Sequence, residues 1–262
     1  MRLCRFTHPP DPSPRYGWLE GDAVRPAEES RRSPPDFATR AAGQTLPRDE
    51  VRLVAPVVPT KIVCVGRNYR EHAAELGNEM PAEPLLFLKA PSSLVGHEDA
   101  IVLPPYSERV EHEGELAVVI GRRAKDVTDG ENPLDYVFGY TCLNDVTARD
   151  LQRKDKQFTR AKSFDTFCPV GPYVATDIDP LDLRVETRVN GEVRQRGRTS
   201  EMAFAVPFLV RYVSRMMTLE PGDLISTGTP AGVGPLLDGD TVEVEVEGVG
   251  TLRNPVRAAP GR

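Results

Sequence analysis

A chain of 262 residues, 27% charged and 39% hydrophobic with a formal net charge of −6, can build a sizeable core and carries no basic footprint for nucleic acid or an anionic membrane. No apolar run approaches the length of a spanning helix, and the opening MRLCRFTHPP lacks the apolar stretch of a secretory signal. The expected setting is the cytoplasm, and the expected partner is a small soluble molecule. Cys4, Cys64, Cys142 and Cys168 lie far apart with no CxxC pair, which predicts reduced, buried thiols.

In chain order, proline is the first unusual feature: 25 residues, roughly twice average usage. HPPDPSPRYG and EESRRSPPDF crowd prolines around GWLEGDAV, a hairpin-like piece with Gly21 and Asp22 at its bend. A small N-terminal β-rich domain over residues 1–57 is expected, ending near LVAPVVPTK, followed by a larger domain over 58–262. There KIVCVG, LLFLKA, EHEGELAVVIG, VFGYTCLND, CPVGPYVAT and RVETRVNGEVRQRG read as strands, the last with Asn190 and Gly191 as a hairpin signal. NYREHAAELG reads as a short helix stopped by Gly77. EMAFAVPFLVRYVSRMM reads as a longer one, whose Phe204, Phe208, Tyr212 and Met216 at four-residue steps are expected to pack in the core. Many short strands with few helices predict an all-β or mixed, β-barrel-like core.

EHEGELAVVIG sets Glu113 and Glu115 on one face of an extended chain, on the order of 6.6 Å apart, near enough to share a cation. The same spacing recurs at Glu243, Glu245 and Glu247 in TVEVEVEG. There strict alternation with valine predicts a half-buried strand with a solvated acidic face. After Glu115, by contrast, Leu116 to Ile120 are apolar on both faces, so that strand enters a core where its carboxylates stop. Asp145, in TCLNDVTARDLQ, either caps the helix that follows or supplies a third oxygen ligand for a hard cation such as Mg²⁺ or Mn²⁺. VCVGRNYREH lacks the later glycines of GxGxxG, and STGTPAGVG lacks the Lys-Ser/Thr of a P-loop. Their turn amides, or the Thr229 hydroxyl, could still hold a carboxylate.

NYREHAAELG, KAPSSLVGH, EGELAVVIG, GYTCLNDVTARDLQ, AKSFDTFCPVGP and LEPGDLISTGTPAGVG, in this order over residues 60 to 256, resemble the fumarylacetoacetate hydrolase family. The resemblance implies a mixed, mostly β fold: a rolled β-sheet core with short helices, beside the small N-terminal domain. It places the metal-binding carboxylates on Glu113, Glu115 and Asp145, the active-site lysine on Lys162, and substrate contacts on Gln152 and Thr229. His72 and Glu75 match a pair carried on a lid helix that activates water in acylpyruvase-like members. Lys89, in KAPSS where members often read KPPSS or KPSSS, is a substrate-side candidate. Arg149 is expected to pair with a neighbouring acid, Glu111 to be a strand-entry carboxylate and His97 to help shape the site; His8 and His112 have no chemical context. The implied protein is a homodimer using Mg²⁺ or Mn²⁺ on 2-oxo or 1,3-dioxo acids through an enolate. C–C bond hydrolysis of an acylpyruvate-type substrate is expected first, and isomerisation or decarboxylation of unsaturated 2-oxo diacids in aromatic catabolism is the alternative.

Overall fold

The structure, a computed structural model, describes residues 1–28 and 41–260; beyond Glu28, the EESRRSPPDF stretch lies outside the described residues. Its centre is the Gly114–Ile120 strand, buried at every position. This strand lies between Val137–Asn144 and Leu224–Ser226, antiparallel to both. The apolar run explains the place, because both faces are covered. Leu116, Val118 and Ile120 pack with Leu209, Val210 and Val213 of the Val206–Met216 helix and with Val244 and Val246 of a second sheet. Ala117 and Val119 face a separate cluster with Val57, Leu143 and Val170. Each such buried aliphatic side chain contributes about 1.5–3 kcal/mol of transfer free energy.

The sheet continues on one side through Ile62–Gly66, parallel to Leu224–Ser226, to an edge at Leu85–Lys89. On the other it runs through Cys168–Ala175 to Arg2–His8, with Leu3 opposite Val174. The N-terminal strands thus extend the core sheet, which has 12 strands and closes no barrel among the described residues. The mostly β fold agrees with the expectation, and the barrel-like closure does not. Asp11–Glu20 and Ala23–Pro26 form the expected hairpin around Gly21 and Asp22. Asn190 and Gly191 turn the Arg184–Val189/Glu192–Arg198 hairpin with φ of 53° and 81°, the left-handed pair that a two-residue turn requires. All four cysteines are free and buried.

Two expectations are corrected. On the Val206–Met216 helix the stripe at Val206, Leu209, Val210 and Val213 faces the core. Phe208 lies about 200° around from Val206 at 3.6 residues per turn. Phe208 and Tyr212 therefore stack on the outer side, with Phe208 45% and Met216 57% exposed, whereas Phe204, which precedes the helix and stacks on Phe208, is partly buried and packs against the core as expected. In the Thr241–Val246 strand the valines are buried as expected, but the acidic face is paired with arginines: Glu245 accepts from Arg184 at 2.9 Å and Arg188 at 2.8 Å.

Asp223 ties the parallel strand pair at its base. Its carboxylate, fully buried, accepts from the Thr60 amide (2.8 Å) and hydroxyl (2.7 Å), from the amides of Lys61 (3.1 Å) and Glu220 (2.8 Å), and from the Lys61 ammonium. Asp223→Ala leaves these donors unmet in the interior and is expected to destabilise the fold by about 3 kcal/mol, the lower end for a broken buried pair because Lys61 is partly exposed. Urea unfolding checks it: the midpoint should fall at constant m. A loss below about 1 kcal/mol would show that the tie is dispensable.

Candidate active site

The site forms where two neighbouring strands break. Val110–His112 pairs with Thr147–Ala148 and Gly234–Pro235 in a small sheet, whereas Gly114–Ile120 belongs to the central one. Glu113 falls between them, at the change of partner. Gly114 is opposite Asn144, so the break at Glu113 faces the end of the neighbouring strand at Asp145. The Asp145 amide donates to the Glu113 carbonyl at 2.8 Å, and the Glu113 amide donates to Asn144 Oδ1 at 3.0 Å. One oxygen each of Glu113, Glu115 and Asp145 lie within 4.8 Å of one another. Glycine is required at 114, because a Cβ there would stand 2.0 Å from Thr187 Oγ1.

Basic side chains partner most of this buried acid. Lys162 Nζ donates to Glu113 at 2.7 Å, Asp145 at 2.6 Å and Thr147 Oγ1 at 2.8 Å. Arg149 donates to Glu113 at 2.5 Å and to Glu111 at 2.6 Å, and Arg109 reaches the other oxygen of Glu111 at 2.5 Å. Burial alone would raise the Glu113 carboxyl, but Lys162, Arg149 and His72 hold it well below the usual range. Burial would lower the Lys162 ammonium, and Asp145 and Glu113 instead hold it above the ordinary lysine value. Glu115 has no basic partner among the described residues. It accepts from the Ser226 hydroxyl and, at 2.8 Å, from the Gly228 amide. Burial, with the charges of Asp145 and Glu113 beside it, pushes its carboxyl up to about 8. A buried, all-oxygen set with one uncompensated acid suits a hard divalent cation.

A cavity of about 320 Å³ opens over the triad, and His72, Glu75, Gln152, Lys162 and Thr229 line it as well. Helix Arg70–Glu75 brings His72 and Glu75, three apart, onto one face, and ends at Gly77 (φ +68°), whose amide donates to the Ala74 carbonyl. His72 Nδ1 is 3.3 Å from a Glu75 oxygen. The carboxylate fixes the proton on Nδ1 and leaves Nε2 as the basic nitrogen of the ring. Glu75 also accepts the Gly232 amide at 3.0 Å, which fastens the helix to the TPAGVG loop.

Other expected residues take different places. Lys89 is not on the cavity wall: its ammonium lies behind Asp145, donating to it at 2.6 Å and to the Val146 carbonyl at 3.3 Å, so it supports a triad carboxylate. The Thr229 hydroxyl gives its only proton to the Gly114 carbonyl at 2.8 Å and has none for a substrate carboxylate. Arg149 pairs with neighbouring acids, as expected, and also donates to Gln152 at 2.5 Å. Glu111 is a buried anchor for that arginine, beyond a strand-entry charge. His97 lies off the cavity, accepting from the Arg253 amide at 3.1 Å. Gln195, which no sequence signal marks, is fully buried. Its carbonyl accepts from the Gly114 amide at 3.0 Å and meets His112 Nδ1 at 3.0 Å; its amide donates to Thr229 Oγ1 and to the Pro230 carbonyl, both at 2.7 Å.

Residues 61–257 match the family model described as fumarylacetoacetate (FAA) hydrolase C-terminal, and residues 1–56 match Rv2993c-like, N-terminal. The chain belongs to the fumarylacetoacetate hydrolase family. It is 46% identical to the oxaloacetate tautomerase YisK of Bacillus subtilis over 79% of this chain and 73% of that one. Its fold is similar to that of a 5-carboxymethyl-2-hydroxymuconate delta-isomerase from Mycobacterium smegmatis (TM-score 0.90, 45% identity, 99% of this chain and 100% of that one). It is also similar to a fumarylacetoacetate hydrolase from Exiguobacterium antarcticum (TM-score 0.86, 42% identity, 99% and 100%). The family is therefore shown, while its members named here carry different reactions.

Gln195 holds the residue between two triad carboxylates, so its loss should be felt by a cation that the triad would hold. Gln195→Leu is expected to weaken Mn²⁺ affinity by about 10–100-fold, the usual cost of losing a group that orients metal ligands. Glu245→Gln, spaced like Glu115 but paired with Arg184 and Arg188, should change it little. Titration calorimetry on both variants checks this. Equal affinities would remove Gln195 from the site's support.

Proposed function

We propose that the chain is a divalent-cation-dependent tautomerase or isomerase of 2-oxo acids working through an enolate. The observation that carries this reading is one cavity in which the His72 imidazole, with its proton fixed on Nδ1, and the Lys162 ammonium both stand beside the carboxylate triad. Glu113, Glu115 and Asp145 would hold Mg²⁺ or Mn²⁺, which supplies Lewis-acid polarisation of a 2-oxo carboxylate. His72 Nε2 takes the proton from the carbon next to the carbonyl, and the C–H electron pair moves toward the carbonyl oxygen. The Lys162 ammonium, its three protons held by Glu113, Asp145 and Thr147, stabilises the charge that develops there through its own positive charge. Reprotonation on oxygen gives the enol, and reprotonation at a more distant carbon of an unsaturated substrate gives an isomer. The named reactions of the B. subtilis and M. smegmatis relatives support this order of preference.

Hydrolysis is the second reading, favoured by the same His72–Glu75 pair acting on water and by the E. antarcticum relative. It requires a water seated between His72 and a distal ketone, whereas proton transfer from carbon needs only the groups described. With Mg²⁺, the enol absorbance of oxaloacetate should decay faster than in buffer, and an acylpyruvate should be cleaved more slowly by comparison of kcat/KM. The reverse order would establish the hydrolase reading. Chelation should abolish the activity and Mg²⁺ or Mn²⁺ restore it. His72→Ala should lower turnover by roughly 10² to 10⁴ while Mn²⁺ affinity, read by calorimetry, stays the same. Unchanged turnover would remove His72 from the chemistry.

A further inference from the structure

Two arginines on the cavity wall remain without ionic partners. Arg149 is spent on Glu111, Glu113 and Gln152, but Arg67 and Arg153 make no ion pair among the described residues. Arg67 follows the Ile62–Gly66 strand with φ +57°, a left-handed conformation uncommon for a residue with a Cβ. Its neighbour holds it there. The Asn68 side chain donates to the carbonyls of Thr227 (2.7 Å) and Phe204 (3.0 Å) and accepts the Phe204 amide (2.8 Å), so the backbone kink is fixed at the wall of the site. Arg153 follows Gln152 in helix Arg149–Lys154. Arg149, Gln152 and Arg153, at i, i+3 and i+4, share the face that lines the cavity.

We propose that Arg67 and Arg153 form a second anion subsite on the cavity wall, which binds the distal carboxylate of a 2-oxo diacid. The subsite rests on the 2-oxo acid reading above and narrows it to dianionic substrates. Charge complementarity argues for it. Lys162 and Arg149 on this wall are taken up by buried acids, whereas Arg67 and Arg153 are cationic groups of the cavity lining that no acid among the described residues neutralises. A bound cation would face the 2-oxo carboxylate head, which leaves the two unpaired guanidinium groups to complement a second carboxylate. Guanidinium groups suit the task, since they present paired donors to a carboxylate and stay charged at any working pH.

The test uses the full chain with Mg²⁺ and two ligands of equal length, 2-oxoglutarate and 2-oxopentanoate, which share the 2-oxo acid head and differ in the terminal carboxylate. Calorimetry should give 2-oxoglutarate about tenfold tighter binding to the unmodified protein, the scale of one charge-assisted hydrogen bond. The Arg67→Gln/Arg153→Gln double variant should bring the two ligands within about twofold, through loss of 2-oxoglutarate affinity. Arg153→Gln alone, on an exposed helix position, should move the ratio the same way if the strained Arg67 site does not tolerate replacement. Equal binding of both ligands by the unmodified protein, or an unchanged ratio in the variants, overturns the subsite while the 2-oxo acid reading stands. Binding of neither ligand overturns that reading and the subsite with it.

Discussion

Everything at this site depends on burying Glu111, Glu113, Glu115 and Asp145 together, each no more than 4% exposed. Ionised carboxylates taken out of water without partners would cost more than the fold can supply. Three buried bases answer them. Lys89 stands behind Asp145, Lys162 bridges Asp145 and Glu113, and Arg149 bridges Glu113 and Glu111. Because each base touches an acid that another base also touches, the charges form one network rather than separate pairs, and removing any member strands its neighbours. Glu115 alone is left to a hydroxyl and an amide. The place where the protein's own charges fall short is the place where a divalent cation would restore balance.

The backbone makes this arrangement possible by stopping two adjacent strands side by side. An unbroken ladder would hold Glu113 and Glu115 on one face with the fixed spacing of TVEVEVEG. The change of partner at Glu113 frees that residue from the ladder, and Gly114 lets the chain pass against Thr187. Gln195 then pins the Gly114 amide and the Thr229–Pro230 segment with one side chain. From the opposite direction, Asp223 sets the base of Leu224–Ser226, the strand that delivers Ser226 and the Gly228 amide to Glu115. Fold stability and site geometry are thus carried by some of the same buried polar groups.

How far the sequence could be read follows from which interactions are local. Turn pairs such as Asn190 and Gly191, the end of the short helix at Gly77 and the doubly buried run after Glu115 are properties of a few consecutive residues, and the structure has them. Spacing could not separate Glu113 and Glu115 from Glu243 and Glu245, because the difference lies across the fold: Lys162, 49 residues from Glu113, against Arg184 and Arg188 beside Glu245. Family resemblance named Lys89 and Thr229 but not the direction of their hydrogen bonds, which turned one toward a carboxylate's back and the other toward a carbonyl. Gln195 carried no local mark at all, being an amide between the exposed Arg194 and Arg196 in a strand of mostly exposed residues. The aromatic stripe on the Val206–Met216 helix misled because two apolar stripes share that helix, and only the sheet beneath decides which one is covered.

The same parts explain why relatives of such similar fold carry names of different reactions. In the chemistry proposed, a cation, Lys162 and His72 would act on a shared step, the gathering of charge on a carbonyl oxygen, and would be indifferent to which bond supplied it. What differs downstream is what stands near His72 Nε2 when the carbanion forms: the carbon that lost the proton, a more distant carbon of a conjugated chain, or a water. That choice belongs to the far end of the substrate and to the residues that hold it, since a displacement of about one ångström at the reacting atoms can change rates by orders of magnitude. Selectivity in this chain should therefore be sought in the rest of the cavity wall, in Arg67, Arg153 and the helix bearing His72, rather than in the carboxylate triad.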